Sequence, residues 1–189
     1  MRIGVFGGTF DPPHLGHAVA AADAAEQLGL DRVLFIPAAV QPLKADRTTA
    51  PVADRIEMTR RLIAADPRFE LDTVEADRGG LSFTVDTLLA LRRRWPAGTA
   101  DLVLLLGADA VAQFAQWKDP LRVRSLAEVV VLTRGEALRT VPEGCRVVPT
   151  RRVDVSSTEI RERVRTGKSV RWLVPDPVAE YIAQRGLYR

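Results

Sequence analysis

The sequence predicts an α/β fold, a doubly wound parallel sheet with helices on both faces, on three observations. Short apolar runs alternate along the chain with longer helical segments, the order of strand–helix–strand units rather than of an all-α or all-β protein. The first apolar run passes through a Gly-Gly connection into a helical segment, a joint suited to binding anions. The length of 189 residues suits a single domain over residues 1–189, able to bury about 70% of the surface that its unfolded chain exposes. No repeat, linker or low-complexity tract interrupts it.

In chain order, apolar runs predict strands at Ile3 to Phe6, Arg32 to Ile36, Phe69 to Leu71, Leu102 to Leu106, Val129 to Leu132 and Arg146 to Val148. Helices are expected at Leu15 to Leu28, Val52 to Ala64, Thr84 to Trp95, Ala110 to Gln116, Pro120 to Leu126, Thr158 to Arg165 and Pro177 to Gln184. Asp119 before Pro120 and Asp176 before Pro177 combine a capping carboxylate with proline at the first helical position. The loop from Pro37 to Pro51 is long and punctuated by proline, so it is a candidate substrate lid.

Composition narrows the class. Lys and Arg number 27 against 24 Asp and Glu, a net charge of +3. The arginine clusters at 92–94, 151–152 and 161, 163 and 165 therefore read as charged helix surfaces, and no nucleic-acid partner is expected. Cys145, the single cysteine, excludes an intrachain disulfide and fits a reducing compartment. No apolar run approaches the ~18 to 20 residues of a membrane span, and no signal-peptide pattern opens the chain. A cytoplasmic location with no membrane partner is the expectation; a homo-oligomer is left open.

The two histidines, His14 and His17, lie in the run Gly7-Gly8-Thr9-Phe10-Asp11-Pro12-Pro13-His14-Leu15-Gly16-His17. A strand delivers the chain to a glycine turn, and a helix opening near His14 points its positive end at the same spot. At i and i+3 the imidazoles share one helical face at that mouth. With no third histidine and one cysteine, a zinc site is disfavoured and no protein metal site is expected.

In a doubly wound sheet, ligands bind beyond the carboxyl ends of the strands at the switch point. Besides Gly7 to His17, two segments can meet there: Gly107-Ala108-Asp109 and Ser156 to Arg161. Gly107 permits close approach to a nucleoside, and Asp109 can accept hydrogen bonds from a ribose or base or serve as a helix N-cap. Ser156 and Glu159 have capping-box spacing. Ser157 and Arg161, at i and i+4, place a hydroxyl and a guanidinium on one face, a clamp for terminal phosphates.

The run "GGTFDPPHLGH" resembles the His-x-Gly-His signature of the nucleotidyltransferase superfamily, and "VSSTEIR" at Val155 to Arg161 resembles its second ATP-binding signature. Within that superfamily the chain is similar over nearly its whole length to the bacterial nicotinate-nucleotide adenylyltransferase family. "IPAAVQPLK", "LSFTVDTL", "LGADAVAQFAQW" and the closing "YIAQRGLYR" carry this narrower likeness. The resemblance implies a Rossmann-like nucleotidyltransferase fold, with ATP and nicotinate mononucleotide as substrates and Mg²⁺ arriving with ATP. It implies catalytic roles for His14, His17, Lys44 and Arg161, and ATP contacts from Gly7, Gly8, Thr9, Phe10, Gly107, Asp109, Ser156, Ser157 and Thr158. Phe83, Thr84, Trp117 and Lys118 fall to the acceptor. Three departures stand out: Gln41-Pro42-Leu43 where the family often has Pro-Pro-His before the basic residue, Phe83 for tyrosine, and Gly135-Glu136 after Arg134 where Pro-Gly is usual.

The chemistry suits these residue types. A phosphate monoester acceptor is already largely a dianion at neutral pH, so no protein base need deprotonate it. Catalysis then rests on positioning and on cationic donors around the phosphates, and few protein carboxylates need ligate the metal. Trp117, with Phe83 as second candidate, offers an aromatic face to a pyridine ring. The resemblance implies that Thr84 and backbone N–H groups near Thr84 and Lys118 meet its carboxylate, donor-only surroundings that would favour the anion. The alternatives are a phosphopantetheine or nicotinamide-mononucleotide adenylyltransferase, and, from another class, a non-catalytic nucleotide-binding regulator.

Overall fold

The computed structural model describes residues 1–42, 50–133 and 143–189. Its strands are β1 (Arg2–Gly8), β2 (Arg32–Pro37), β3 (Phe69–Leu71), β4 (Asp101–Gly107), β5 (Glu128–Thr133) and β6 (Cys145–Pro149). Its helices are α1 (Leu15–Leu28), α2 (Val52–Ile63), α3 (Val74–Arg78), α4 (Thr84–Arg94), α5 (Ala108–Val111), α6 (Pro120–Leu126), α7 (Ser157–Arg165) and α8 (Asp176–Arg185). The strands form one sheet in the order β3-β2-β1-β4-β5-β6, with every pairing parallel. The switch point therefore falls between β1 and β4, where Val5 pairs with Leu104, and the carboxyl ends of both strands open onto one crevice.

Alternation along the strands builds two cores. Phe6, Val33, Phe35, Val103, Leu105, Val130 and Leu132 pack under α1, α2 and α8. Ile3, Val5, Leu34, Ile36, Leu102, Leu104, Val129 and Val131 face the other way, against α4 and α6. Both faces are buried, so the strands read as nearly continuous apolar runs. Helix α1 is rich in alanine, the strongest helix former, and ends at Gly29, whose φ of 59° places it in the left-handed region.

Several expected elements shift. The helix expected over Ala110 to Gln116 is instead the short α5 followed by a 3-10 turn at Phe114–Gln116. Bonds from Gln116 N to Gln113 O and from Trp117 N to Phe114 O have the three-residue spacing of that turn, and Phe114 is buried. Pro175, not Asp176, is the N-cap of α8. Asp119 does cap α6, accepting from the Arg122 N–H. Helix α3 was not expected from the sequence; it is five residues long, too short to show a period, and closes at Gly79 with φ 69°. The arginine clusters engage their own fold: Arg92 donates to Leu126 and Ala100 carbonyls, Arg94 grips Asp72, and Arg151 pairs with Asp23. No helix among the described residues is long and apolar enough to cross a membrane.

The last turn of chain folds back onto the first loop. The Tyr188 hydroxyl donates to Asp11 Oδ1 at 2.7 Å, and burial together with the Asp11 carboxylate pushes the phenol well above its usual value. A raised folded-state value stabilises the protein below the unfolded phenol's pKa of about 10, and that stability is lost as pH rises beyond it. Denaturant unfolding should therefore find Tyr188→Phe less stable than the parent by about 1.5 to 3 kcal/mol at pH near 8, the worth of a hydrogen bond to a charged group. The difference should shrink as the pH passes about 10. A pH-independent difference would contradict the assignment.

Candidate active site

Gly7 and Gly8 are not a turn. They are the last two residues of β1, paired with Ile36 and Pro37 of β2, and neither has positive φ. The left-handed residue of the connection is Phe10, with φ 49°. Its ring turns inward to 2% exposure and lies over Gly8, where a Cβ would stand 2.9 Å from Phe10 Cζ. Phe10 therefore serves the site through packing: its ring meets His17 edge-on at 5.1 Å and Phe6 at 5.9 Å.

The histidines divide their roles. His14 is the N-cap of α1, 3% exposed, with its ring stacked 3.7 Å from that of His17. Gly16 makes room for it, since a Cβ there would sit 3.1 Å from His14 Nδ1. His17 Nδ1 accepts the His14 backbone N–H at 3.1 Å, which leaves Nε2 to carry the proton of the neutral ring. His17 lines the cleft and His14 lies behind it.

The cleft has a volume of about 800 Å³ and runs across the switch point. Gly107 closes β4 and caps α5. Nothing lies within 4 Å of where its Cβ would be, so the backbone there is open to a ligand. Asp109 is the second residue of α5 rather than its cap; its side chain lies outside the described structure. Lys44 also lies outside the described residues, as do residues 43–49 of the loop proposed as a lid.

Helix α7 docks its start against the first loop. Ser156 caps it, accepting from Glu159 N at 3.1 Å. The Ser157 hydroxyl donates to Pro12 O at 2.8 Å and Arg161 donates to Asp11 O at 2.7 Å and to Thr158 Oγ1 at 3.2 Å. The two signature segments, far apart in sequence, are thus hydrogen-bonded to each other. Ser157 also lines the cleft, and the first N–H groups of α7 are helix-end donors.

At the far end, Phe83, Thr84, Trp117 and Lys118 line the same cleft. Phe83 is the N-cap of α4 without a side-chain cap bond, so Thr84 sits at a helix start with intrahelically unpaired N–H groups. Lys118 Nζ stands 4.8 Å over the Phe83 ring and 2.9 Å from Asp86. The surroundings are not donor-only. The buried Glu75 carboxylate also lines the cleft, held by the Thr87 hydroxyl at 2.6 Å. The unforeseen α3 supplies it. Gln41 is a further lining residue that sequence reasoning missed, its Oε1 accepting from the Thr9 hydroxyl at 2.6 Å. Among the described residues no group of three His, Cys, Asp or Glu side chains could hold a metal ion.

The sequence profile of the cytidylyltransferase-like family matches residues 5–163. A relative from Gemmatimonas aurantiaca, described as a probable nicotinate-nucleotide adenylyltransferase, is 50% identical, covering 100% of this chain and 93% of its own. A relative of the same description from Thermus thermophilus is 47% identical with full coverage of both chains. Among solved structures, Plasmodium falciparum nicotinic acid mononucleotide adenylyltransferase complexed with APC matches at a TM-score of 0.80 and 15% identity, covering 99% of this chain and 96% of its own. The same enzyme complexed with NaAD matches at 0.79 and 15%, covering 99% and 97%. At that identity the structural likeness shows the fold.

The glycines give a test of which backbone serves packing and which serves the cleft. Gly8→Ala should lower stability by about 1 to 3 kcal/mol, as overpacking does, because its methyl meets the buried Phe10 ring. Gly107→Ala, with φ −72° and open space, should melt within a few degrees of the parent yet weaken nucleotide binding. Melting curves with and without ATP check both; equal melting for the two variants would contradict the packing described for Gly8.

Proposed function

We propose, from the premise that this chain belongs to the cytidylyltransferase-like family, that it is a nucleotidyltransferase joining the adenylyl group of ATP to nicotinate mononucleotide. The products are deamido-NAD and pyrophosphate, a step of NAD biosynthesis. The observation that carries the reading is one continuous cleft lined by His17 and Ser157 and by the aromatic rings of Phe83 and Trp117.

The acceptor's phosphate oxygen attacks the α-phosphorus; a P–O bond forms there, the bond to the bridging α–β oxygen breaks, and that electron pair leaves with pyrophosphate. The attacking group is already a dianion, so no proton need be removed. His17 Nε2–H donates to an α-phosphate oxygen as negative charge builds up on it, and the mouth of α1 adds its positive end. His14 acts by fixing the His17 ring. The α7 N-terminus, Ser157, Thr158 and Arg161 hold the β- and γ-phosphates. Arg161 brings donors beyond the two that bind Asp11 and Thr158, and Lys44 contributes a second cation. Gly107 and Asp109 receive the nucleoside. Mg²⁺ arriving with the triphosphate would screen its charge, and few protein carboxylates need ligate it.

Trp117 and Phe83 stack on the pyridine ring, worth about 0.5 to 1.5 kcal/mol beyond area burial. Backbone N–H groups near Thr84 and Lys118 receive its carboxylate. With Lys118 Nζ held by Asp86 and Glu75 close by, these main-chain donors are what favours the acid.

Pyrophosphate release with ATP and each of nicotinate mononucleotide, nicotinamide mononucleotide and phosphopantetheine tests the reading. The acid should lead the amide by more than about 10-fold in kcat/KM, or ~1.4 kcal/mol; parity would contradict the carboxylate pocket. Tight ATP binding without turnover on any acceptor would instead mark a regulator. His17→Ala should lower kcat by about 100- to 1,000-fold, as loss of a transition-state donor does. A folded variant working within a few-fold of the parent would remove His17 from the phosphate site.

A further inference from the structure

Behind the phosphate end lies a buried cation that none of the cleft contacts uses. Arg55 comes from the core-facing side of α2, beside Met58, Thr59 and Leu62, and is 1% exposed. Its guanidinium donates to four main-chain carbonyls. Nη1 reaches Thr9 O at 2.8 Å and Ala38 O at 2.7 Å, Nη2 reaches Ala39 O at 3.0 Å, and Nε reaches Ala50 O at 3.2 Å. Thr9 follows β1 and Ala38 follows β2, and both line the cleft.

Asp11 closes the network from the other side. It is 3% exposed; its Oδ1 accepts the Ala50 N–H at 3.2 Å and the Tyr188 hydroxyl, while its carbonyl receives Arg161. Burial lowers the Arg55 pKa and the nearby Asp11 carboxylate partly offsets that.

An apolar side chain would fill the same core space but leave these four carbonyls without their donors. What a guanidinium adds is a planar fork of five N–H donors at fixed angles. That fork spans the exits of the two strands between which the phosphate-binding connection leaves the sheet.

We infer that Arg55 is a positioning residue for adenylyl transfer. With Asp11 and Tyr188 behind it, it fixes the Thr9 carbonyl to those of Ala38 and Ala39, and so sets the connection that carries the His17 mouth and receives Arg161. This rests on the reaction proposed above. Its effect falls on the alignment of reacting groups rather than on ground-state binding, because Arg55 touches loop backbone and lies outside the cleft lining.

Arg55→Lys keeps the charge and loses the fork. Assayed well below its melting temperature, it should lose about 10- to 100-fold in kcat, the scale of a misplacement near 1 Å. KM for ATP and acceptor should stay within about threefold. Tyr188→Phe, which leaves Arg55 in place and frees one side of Asp11, should lower kcat by a smaller factor, about threefold to tenfold, again with KM nearly unchanged. A merely structural role would lower melting and leave kcat per folded molecule intact. A folded Arg55→Lys with kcat within twofold of the parent, or with a raised KM at constant kcat, overturns the inference. If that variant does not fold, parental kcat in Tyr188→Phe does so. Failure of the parent itself to use any acceptor would overturn the reaction and this inference together, an outcome separate from a defect confined to the variants.

Discussion

The site depends on one constraint: carbonyl groups from the β1–α1 connection and from both ends of the β2–α2 connection must be satisfied inside the protein. Buried backbone acceptors without partners are costly, and the residues after β1 and β2, with Ala50 ahead of α2, leave four carbonyls around a single point that Arg55 fills. A charge in that position is tolerable because four of its donors bond carbonyls and Asp11 stands beside it. Breaking such an arrangement by removing one member typically costs about 3 to 5 kcal/mol. The residues that leave β1 and β2 are therefore held from within the core, which lets backbone of unusual shape, including Phe10 at positive φ, keep one geometry.

Around that anchor the sheet order does the rest. Placing β4 beside β1 brings Gly107 next to the exit of β1, and the docking of α7 onto Asp11 and Pro12 brings a second helix start to the same point. Two helix N-termini, those of α1 and α7, and the His17 ring thus gather at the place proposed for the phosphates. Transfer from a preformed dianion needs this array of donors far more than it needs a base, which accounts for a cleft in which the carboxylates Glu75 and Asp154 are tied to Thr87 and Arg152.

Periodicity revealed most of the scaffold. Phe69–Leu71, Leu15–Leu28 and Pro120–Leu126 coincide with their expected bounds, because alternating apolar runs and helical stripes are local signals of burial. What sequence did not reveal is mostly long-range. Arg55 follows the core spacing of Met58 and Leu62, a legible oddity, but which carbonyls it meets depends on two connections folding together. The Tyr188–Asp11 contact joins the two ends of the chain, and Glu75 enters the cleft on a helix of five residues. The glycine pair misled through local reasoning: glycine suggests a turn, whereas Gly8 stays extended because the Phe10 ring needs its missing Cβ. The His-x-x-His spacing correctly placed both rings at one helix mouth but could not separate the cleft-lining His17 from the buried His14.

The central claim is that a phosphate oxygen of nicotinate mononucleotide attacks the α-phosphorus of ATP in this cleft. The direct measurement is the fate of phosphorus label from ATP carried separately at the α and γ positions. The account predicts that α-label appears in the dinucleotide product and γ-label in pyrophosphate, in equal amounts. Recovery of γ-label in the acceptor, or of α-label only in free AMP, would contradict it.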